Sequence, residues 1–184
     1  MLCGDGCLTT RTRKEGYKTY SIEFFNTNNK MVENFADLFF DLFSERGSIT
    51  SYIKGTRKRL YVFRKYSHKI FEEITKKGFQ RGKKKYKLKI PGFVFRGTYE
   101  EKKEFFKGYL ITDGCLRKNL SINFHSGGRL FLEDLSKLIS DLWGIEKGIK
   151  EYAQKERHLS YQLNLNRREA DLILSKHPNI ATVA

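Results

Sequence analysis

The sequence repeats itself at a fixed spacing of 100 positions, the distance from Ser21 to Ser121. The segment Ser21-Ile22-Glu23-Phe24 recurs as Ser121-Ile122-Asn123-Phe124. The same spacing, without a gap, then matches Glu33 with Glu133, Leu38 with Leu138, Asp41 with Asp141, Leu42 with Leu142, Tyr52 with Tyr152, Arg57 with Arg157, and Tyr61 with Tyr161. This period is too long for a solenoid repeat and fits a half-domain. The sequence therefore predicts two copies of one folding unit.

Each copy shows the same order of hydrophobic patterns. Alternating apolar residues predict strands over 18–25 and 120–125, and apolar residues at helical spacing predict a helix over 30–43 and its counterpart in the second copy. The other predicted elements are strands over 7–13, 49–54, 59–65, 115–118, 148–154 and 158–165, and helices over 67–77 and 167–176. One complete unit is therefore helix, two strands, helix, two strands, helix, which makes the fold class α+β. The opening helix is visible over 99–112 in the second copy and is missing from the first.

Composition indicates the kind of partner. The 184-residue chain has a formal net charge of +15 and is 14% aromatic, so it is predicted to be folded and to bind a polyanion. The basic residues do not gather on one amphipathic helix, which favours nucleic acid over a membrane. There is neither a long apolar segment nor a secretion signal, and we expect an intracellular protein, in the cytoplasm or an organelle matrix, that is not secreted. Three cysteines without a CxxC pair predict reduced thiols and no zinc site.

A second repeated motif, Asp-Gly-Cys-Leu, occurs at Asp5 to Leu8 and at Asp113 to Leu116. The second copy follows the predicted helix, where glycine is a common helix stop. An aspartate there lies against the negative end of the helix dipole, which costs stability, so a functional role explains it better than a structural one. The alternative is that both aspartates are turn residues. Cys7 and Cys115 are interpreted as small buried residues that open a strand, because no partner that would activate a catalytic thiol is evident.

The stretch 106–114 resembles the nonapeptide motif of the LAGLIDADG homing endonucleases at Gly108, Asp113 and Gly114, and residues 1–6 resemble the end of the same motif. The resemblance covers nearly the whole chain. It implies two pseudo-twofold-related halves of α-β-β-α-β-β-α order, at 1–78 and 99–184, joined by a basic linker at 79–98. In that family, antiparallel sheets form a saddle over the major groove of DNA.

The resemblance also implies the site residues. The motif helices of the family pack side by side through small residues, for which Gly4 and Gly108 are the candidates. Their last acids, here Asp5 and Asp113, bind divalent cations, usually Mg²⁺, and carboxylates suit that hard cation. Family members use a basic residue near the metals to polarise the attacking water. We expect Lys87 or Lys89 in that role, although no motif fixes the position. Lys87 and Lys89 belong to a basic run, residues 76–89, that contains no acid. This basic run is a candidate for following DNA phosphates, and the alternative is a solvated loop.

Polar side chains on the predicted strand faces are the candidates for contacting DNA, since Arg suits guanine edges and Asn or Gln suits adenine. The alternative for any one of them is a solvated strand face. The candidates are Arg11, Arg13, Thr19, Ser21, Glu23, Lys54, Arg57 and Arg64 in the first half and Arg117, Lys118, Ser121, Asn123, His125, Gln154, Arg157, Gln162 and Asn164 in the second. Because the halves differ at these positions, the expected site is long and only loosely palindromic.

The leading functional hypothesis is a two-motif, single-chain, intron-encoded or free-standing DNA endonuclease that hydrolyses phosphodiester bonds with a divalent metal. The alternatives are an RNA-binding intron maturase and a non-catalytic DNA-binding relic of the family. A complete chain is expected to be a monomer. A chain that truly lacks its first helix is expected to expose apolar surface along 105–111 and to associate.

Overall fold

The computed structural model describes residues 1–53, 55, 58–82, 87–153 and 159–175, and it divides the chain into two compact units, 1–83 and 84–184. The elements of the first unit are β1 (Gly6–Thr12), β2 (Lys18–Asn26), α1 (Asn29–Phe43), β3 (Ser48–Tyr52), β4 (Leu60–Tyr66) and α2 (His68–Lys76). Those of the second are α3 (Gly92–Arg96), α4 (Tyr99–Asp113), β5 (Gly114–Leu116), β6 (Ile122–Ser126), α5 (Arg129–Trp143), β7 (Lys150–Ala153), β8 (Leu159–Leu165) and α6 (Arg167–Ser175).

Both units contain a four-stranded antiparallel sheet of the same topology, β1-β2-β4-β3 and β5-β6-β8-β7. The predicted α+β class and the repeated order of elements are confirmed. The strand patterns are right because alternating residues bury one face of each sheet: Ile22 and Phe24 in the first unit, and Ile122 and Phe124 in the second, have no exposed surface.

The core of each unit lies between its sheet and its helices. In the first unit Phe35 of α1 stacks on Phe24 of β2, with ring centroids 4.5 Å apart, and meets Phe63 of β4 edge-on at 5.2 Å. In the second unit Phe106 and Tyr109 of α4 pack on Phe124 of β6, at 5.8 Å and 5.7 Å. Aromatic pairs of this geometry stabilise a core beyond the area that they bury.

The two units differ in their first hairpin. β1 and β2 pair over seven positions from Gly6 to Thr12, whereas β5 and β6 pair over three, from Gly114 to Leu116. The first hairpin is therefore longer, and its tip, residues 10–18, is fully exposed.

The units also differ in what covers their long helices. In the second unit α4 packs against α5, where Lys102 Nζ lies 3.4 Å from Asp141 Oδ2. Leu142 of α5 is 6% exposed, but its counterpart Leu42 in α1 is 76% exposed. Residues 1–5 precede β1 as turns rather than as a helix.

Residues 105–111 are all buried or half-buried, and α1 carries the exposed apolar side chains Leu38, Phe40 and Leu42. The interpretation of both strand-opening cysteines as buried residues is wrong. Cys115 is exposed, since it lies on the polar face of β5, whereas Cys7 is half-buried. The basic linker expected at 79–98 stays a prediction, and this stretch contains α3, whose Val94 is buried.

Ile90 ties this stretch to the second unit, because its backbone N–H donates to Asp134 Oδ2 at 3.0 Å. In the part of the chain that the structure describes, no helix is long and apolar enough to cross a bilayer.

Candidate functional site

Asp5 and Asp113 occupy equivalent positions in the two units. Asp5 comes directly before β1, and Asp113 ends α4 directly before β5. The next residue, Gly6 or Gly114, opens the strand and pairs in both units with the phenylalanine of the repeated Ser-Ile-x-Phe segment. The repeat therefore places one carboxylate at the same end of the same strand in each half.

The glycine after each aspartate is required by crowding. A Cβ on Gly6 would lie 2.6 Å from Leu2 Cα, and one on Gly114 would lie 3.1 Å from Leu110 Cα and closer still to the carbonyl oxygen of Leu110. Gly114 has φ −74° and ψ 140°, so it is extended rather than left-handed. The predicted end of the helix at this glycine is confirmed, but glycine is needed because the strand passes close to the preceding helical turn.

The Asp5 carboxylate is held by its own sheet. Asn26, the last residue of β2, donates from Nδ2 to Asp5 Oδ2 at 2.7 Å, and the N–H of Phe25 donates to the Asp5 carbonyl oxygen at 3.1 Å. Both Asp5 and Asp113 are half-buried. Asp113 is the C-terminal residue of α4, so its carboxylate lies at the negative end of that helix, where a nearby cation would be favoured.

The donor chemistry of these positions suits a hard cation. Carboxylate oxygens are the ligands that Mg²⁺ prefers, and Mg²⁺ usually keeps several waters and takes one or two carboxylates together with substrate phosphates. Among the described residues, no group of three or more His, Cys, Asp or Glu side chains could form a protein-only cage. Each aspartate therefore offers a carboxylate that suits a metal completed by water and substrate. Their role as metal ligands stays a prediction.

Lys87 and Lys89 lie on the approach to α3, and both are exposed. Lys83, Lys84 and Lys85, from the same basic run, lie outside the described residues. The catalytic role predicted for Lys87 and Lys89 is untested.

Arg81, also in this run, is committed to its own unit. Its Nη2 lies 2.9 Å from both oxygens of Glu72, and its guanidinium carbon lies 5.1 Å from the ring centre of Phe71. Arg81 therefore anchors the end of the first unit through Glu72 and Phe71.

The polar face of the first sheet extends along the long hairpin. Thr9 and Ser21 face each other across β1 and β2 with their hydroxyl oxygens 2.6 Å apart, and Arg11 pairs with Thr19 two positions further on. Arg11 and Arg13 are exposed, Thr19 is half-buried and Ser21 is 3% exposed. The face thus changes from hydrogen-bonded hydroxyls in the middle of the sheet to free guanidinium groups at the tip.

The second sheet carries a shorter polar face. Arg117, Lys118 and His125 are exposed, and His125 Nε2 lies 3.3 Å from Gln162 Nε2 on β8. Ser121 is half-buried, and its Oγ lies 2.7 Å from the Asn119 side-chain oxygen.

Sequence reasoning missed that the middle of each polar face is buried. Glu23 is 3% exposed and Asn123 is 2% exposed, although both alternate with core residues and were predicted to contact DNA. Glu23 Oε1 accepts from Arg64 Nε at 2.6 Å. Hydrogen bonding to Glu23 is the main cause that raises the pKa of Arg64 above its ordinary value. Glu23 and Arg64 match Asn123 and Asn164 at the same 100-residue interval, but that interval does not show that these positions are buried.

Several predicted site residues cannot be placed. Lys54, Arg57, Gln154 and Arg157 lie outside the described residues. Gly108 is half-buried within α4, and Gly4 lies in a turn where its N–H donates to the carbonyl oxygen of Met1 at 3.1 Å. Their predicted role at a helix interface is untested.

Comparison with known proteins agrees with the architecture. Residues 100–177 match the family described as the LAGLIDADG-like domain. No curated protein sequence matches the chain significantly.

Solved structures match over nearly the whole chain. A crystal structure of I-DmoI in complex with DNA and Ca is 20% identical to this chain, with a TM-score of 0.71, and the match covers 98% of this chain and 91% of the I-DmoI chain. The homing endonuclease I-WcaI bound to its DNA recognition sequence is 14% identical (TM-score 0.63, covering 95% and 75%), and the N-terminal LAGLIDADG domain of DUF199/WhiA is 14% identical (TM-score 0.59, covering 100% and 82%). Residues 100–177 therefore match a LAGLIDADG-like domain, and the chain as a whole has the fold of these homing endonuclease structures.

Proposed function

We propose that this chain is a site-specific endonuclease that cleaves both strands of a DNA duplex with a divalent cation. The observation that carries the proposal is the equivalent placement of Asp5 and Asp113. Each aspartate is the last acid of its motif and comes directly before the first strand of its sheet. It is followed by a glycine that tolerates no side chain. A duplicated unit supplies two acidic positions, and two antiparallel DNA strands present two phosphodiester bonds to be cut.

Divalent cations supply the chemistry that carboxylates alone lack, since a metal pair stabilises both the attacking and the leaving oxygen of a phosphodiester. Structural relatives have been solved with Mn and in the presence of Mg. In this chain Asp5 and Asp113 are the residues that would hold divalent cations. The 2.7 Å hydrogen bond from Asn26 fixes the orientation of the Asp5 carboxylate. Lys87 and Lys89 remain our candidates for polarising the attacking water.

The polar sheet faces supply the binding surface. The chain has a net charge of +15, and the hairpin tip carries Arg11, Arg13, Lys14 and Lys18 against the single acid Glu15. Such a surface gains affinity for DNA by releasing counterions from phosphates, so binding should weaken steeply with salt. Polar strand residues within the major groove then distinguish bases.

The experiment is to map DNA ends in host genomic DNA after incubation with the purified chain, with Mg²⁺ or with EDTA. A variant with both Asp5→Asn and Asp113→Asn is compared with Asp37→Asn, a control that removes an exposed carboxylate from α1. The proposal expects a few reproducible double-strand breaks that require metal, disappear in the double variant and persist in the control.

Other outcomes discriminate the alternatives. No breaks, with salt-sensitive DNA binding unchanged in the double variant, would replace the nuclease with a DNA-binding relic. No breaks, with tighter binding to a structured intron RNA than to duplex DNA, would favour the maturase.

A further inference from the structure

The two sheets carry a buried hydrogen-bond acceptor at one equivalent position. Glu23 of β2 and Asn123 of β6 each precede the phenylalanine that pairs with the strand-opening glycine. Both point to the polar face, yet they are only 3% and 2% exposed. A polar group buried this deeply is stable only when it is hydrogen-bonded, so its partners define its role.

In the first unit that partner is an arginine from β4. Arg64 lies directly opposite Glu23 in the strand register and donates from Nε to Glu23 Oε1 at 2.6 Å. The Arg64 side chain remains 31% exposed, whereas that of Glu23 is 4% exposed. Glu23 engages Nε, so this contact does not use the terminal Nη1 and Nη2 fork, and Tyr66 is a further hydrogen-bond partner of Arg64.

In the second unit the partner is Arg117, which approaches Asn123 from the β5 side of β6 rather than from the β8 side. With the Asn123 amide oxygen facing Arg117, it accepts from Arg117 Nε and from Nη2, the latter at 2.8 Å, while Asn123 Nδ2 donates to Asn164 Oδ1 at 2.5 Å. Arg117 follows β5, the neighbour of β6 opposite to β8. Arg117 is exposed, and its Nη1 is not used by the contact with Asn123.

A structural role alone does not account for this arrangement. Replacing a buried ion pair with apolar residues is often neutral or stabilising, so an ion pair is a poor device for stability. An arginine held by a fixed acceptor is already ordered, and it therefore loses less side-chain entropy when it binds. Its planar fork matches the O6 and N7 acceptors of guanine in the major groove.

We propose that Glu23 and Asn123 are positioning residues that contact no base, and that they hold Arg64 and Arg117 so that each reads one guanine. This inference rests on the proposed DNA-binding function. Because Arg64 comes from the β4 side of the acceptor and Arg117 from the β5 side, the two guanines lie at non-equivalent positions of the two half-sites. The pair of contacts thus breaks the palindromic symmetry of the site.

The test is selection of bound DNA from a randomised duplex library in EDTA, followed by sequencing, with wild type and variants. Arg64→Lys and Arg117→Lys keep the charge but lose the fork. Glu23→Ala removes the anchor, and Glu23→Gln restores an acceptor. Arg129→Lys is the matched control, since Arg129 pairs with Glu133 at 2.7 Å on helix α5 rather than on a sheet.

Wild type should enrich one site with a guanine in each half. Arg64→Lys and Glu23→Ala should both lose the preference at the same single guanine, by about 10- to 100-fold, while Arg117→Lys loses the other. Glu23→Gln should recover part of the preference lost in Glu23→Ala, and the control should select the wild-type site.

Loss of different bases by Arg64→Lys and Glu23→Ala, or of none, would overturn the positioning role and leave the proposed function standing. A uniform loss of affinity in Glu23→Ala that Glu23→Gln restores without any change in base preference would also overturn it, because that result shows a structural role. If wild type enriches no sequence, both this inference and specific DNA recognition fail.

Discussion

The leucines at the matching positions 42 and 142 give a direct measure of how differently the two repeats are packed. Leu142→Ala removes a side chain that is 6% exposed in the second unit, where α4 packs against α5. Truncating a buried leucine costs about 2–5 kcal/mol, since transfer energy is lost and a cavity remains. Leu42 is 76% exposed, so Leu42→Ala loses only about a quarter of the transfer energy, and the helix propensity of alanine offsets part of it. We expect a cost below about 0.5 kcal/mol.

The assay is urea unfolding followed by fluorescence and circular dichroism. Trp143 is the single tryptophan of the chain and lies on α5, where its ring centroid is 4.8 Å from that of Phe106. Its fluorescence therefore reports the second unit, while circular dichroism reports both. With a slope of about 2 kcal/mol/M, Leu142→Ala should lower the fluorescence midpoint by roughly 1–2.5 M urea. Leu42→Ala, on α1 of the first unit, should shift the circular-dichroism midpoint by less than about 0.25 M urea. Equal effects of the two substitutions would refute the difference in packing.

Two further stability predictions follow from local geometry. Gly114→Ala should destabilise the protein by about 1–3 kcal/mol, because the added Cβ would collide with Leu110. Gly148→Ala is the control and should not destabilise it, since a Cβ there meets nothing within 4 Å. Equal urea midpoints for the two variants would contradict this prediction. The pKa of Glu101 is lowered by hydrogen bonds from Thr98, so Glu101 contributes stability above its unfolded pKa that is lost as pH falls through the folded value. Thr98→Ala should therefore lower the melting temperature more at pH 7 than at pH 3, and an equal loss at both would exclude this linkage.

The sequence was sufficient to predict the elements because two copies support each other. A pattern such as Tyr20, Ile22 and Phe24 is ambiguous alone, but its recurrence at the same spacing as a helix pattern and two further strands restricts the fold. The short helix α3 was not predicted, because five residues, Gly92–Arg96, are too few to show periodicity.

The fixed spacing also concealed a difference in length. Most matching residues are 100 positions apart, but Asp5 and Asp113 are further apart than that. The structure accounts for the difference by the longer first hairpin, in which β1 pairs over seven residues against three for β5. Such an insertion leaves the core intact, since a hairpin tip is solvated, and it therefore produces no break in the hydrophobic pattern.

The buried polar positions were the least predictable part of the candidate site. Alternation places Glu23, Ser21 and Asn123 on the polar face correctly, but it cannot show that neighbouring side chains cover them. Burial at these positions depends on cross-strand partners such as Arg64, which is 41 residues away from Glu23 in sequence. Only the strand register brings those partners together.

The measurement that tests the central claim most directly is strand-resolved cleavage of the recovered DNA site by single variants. Asp5→Asn and Asp113→Asn should each reduce cleavage by more than about a hundredfold in Mg²⁺ while retaining specific binding in EDTA, and Asp37→Asn should cut both strands like wild type. An equal loss of cleavage in the Asp5→Asn and Asp113→Asn variants would support one functional acidic position in each repeat. Undiminished cutting of both strands by either variant would contradict the account.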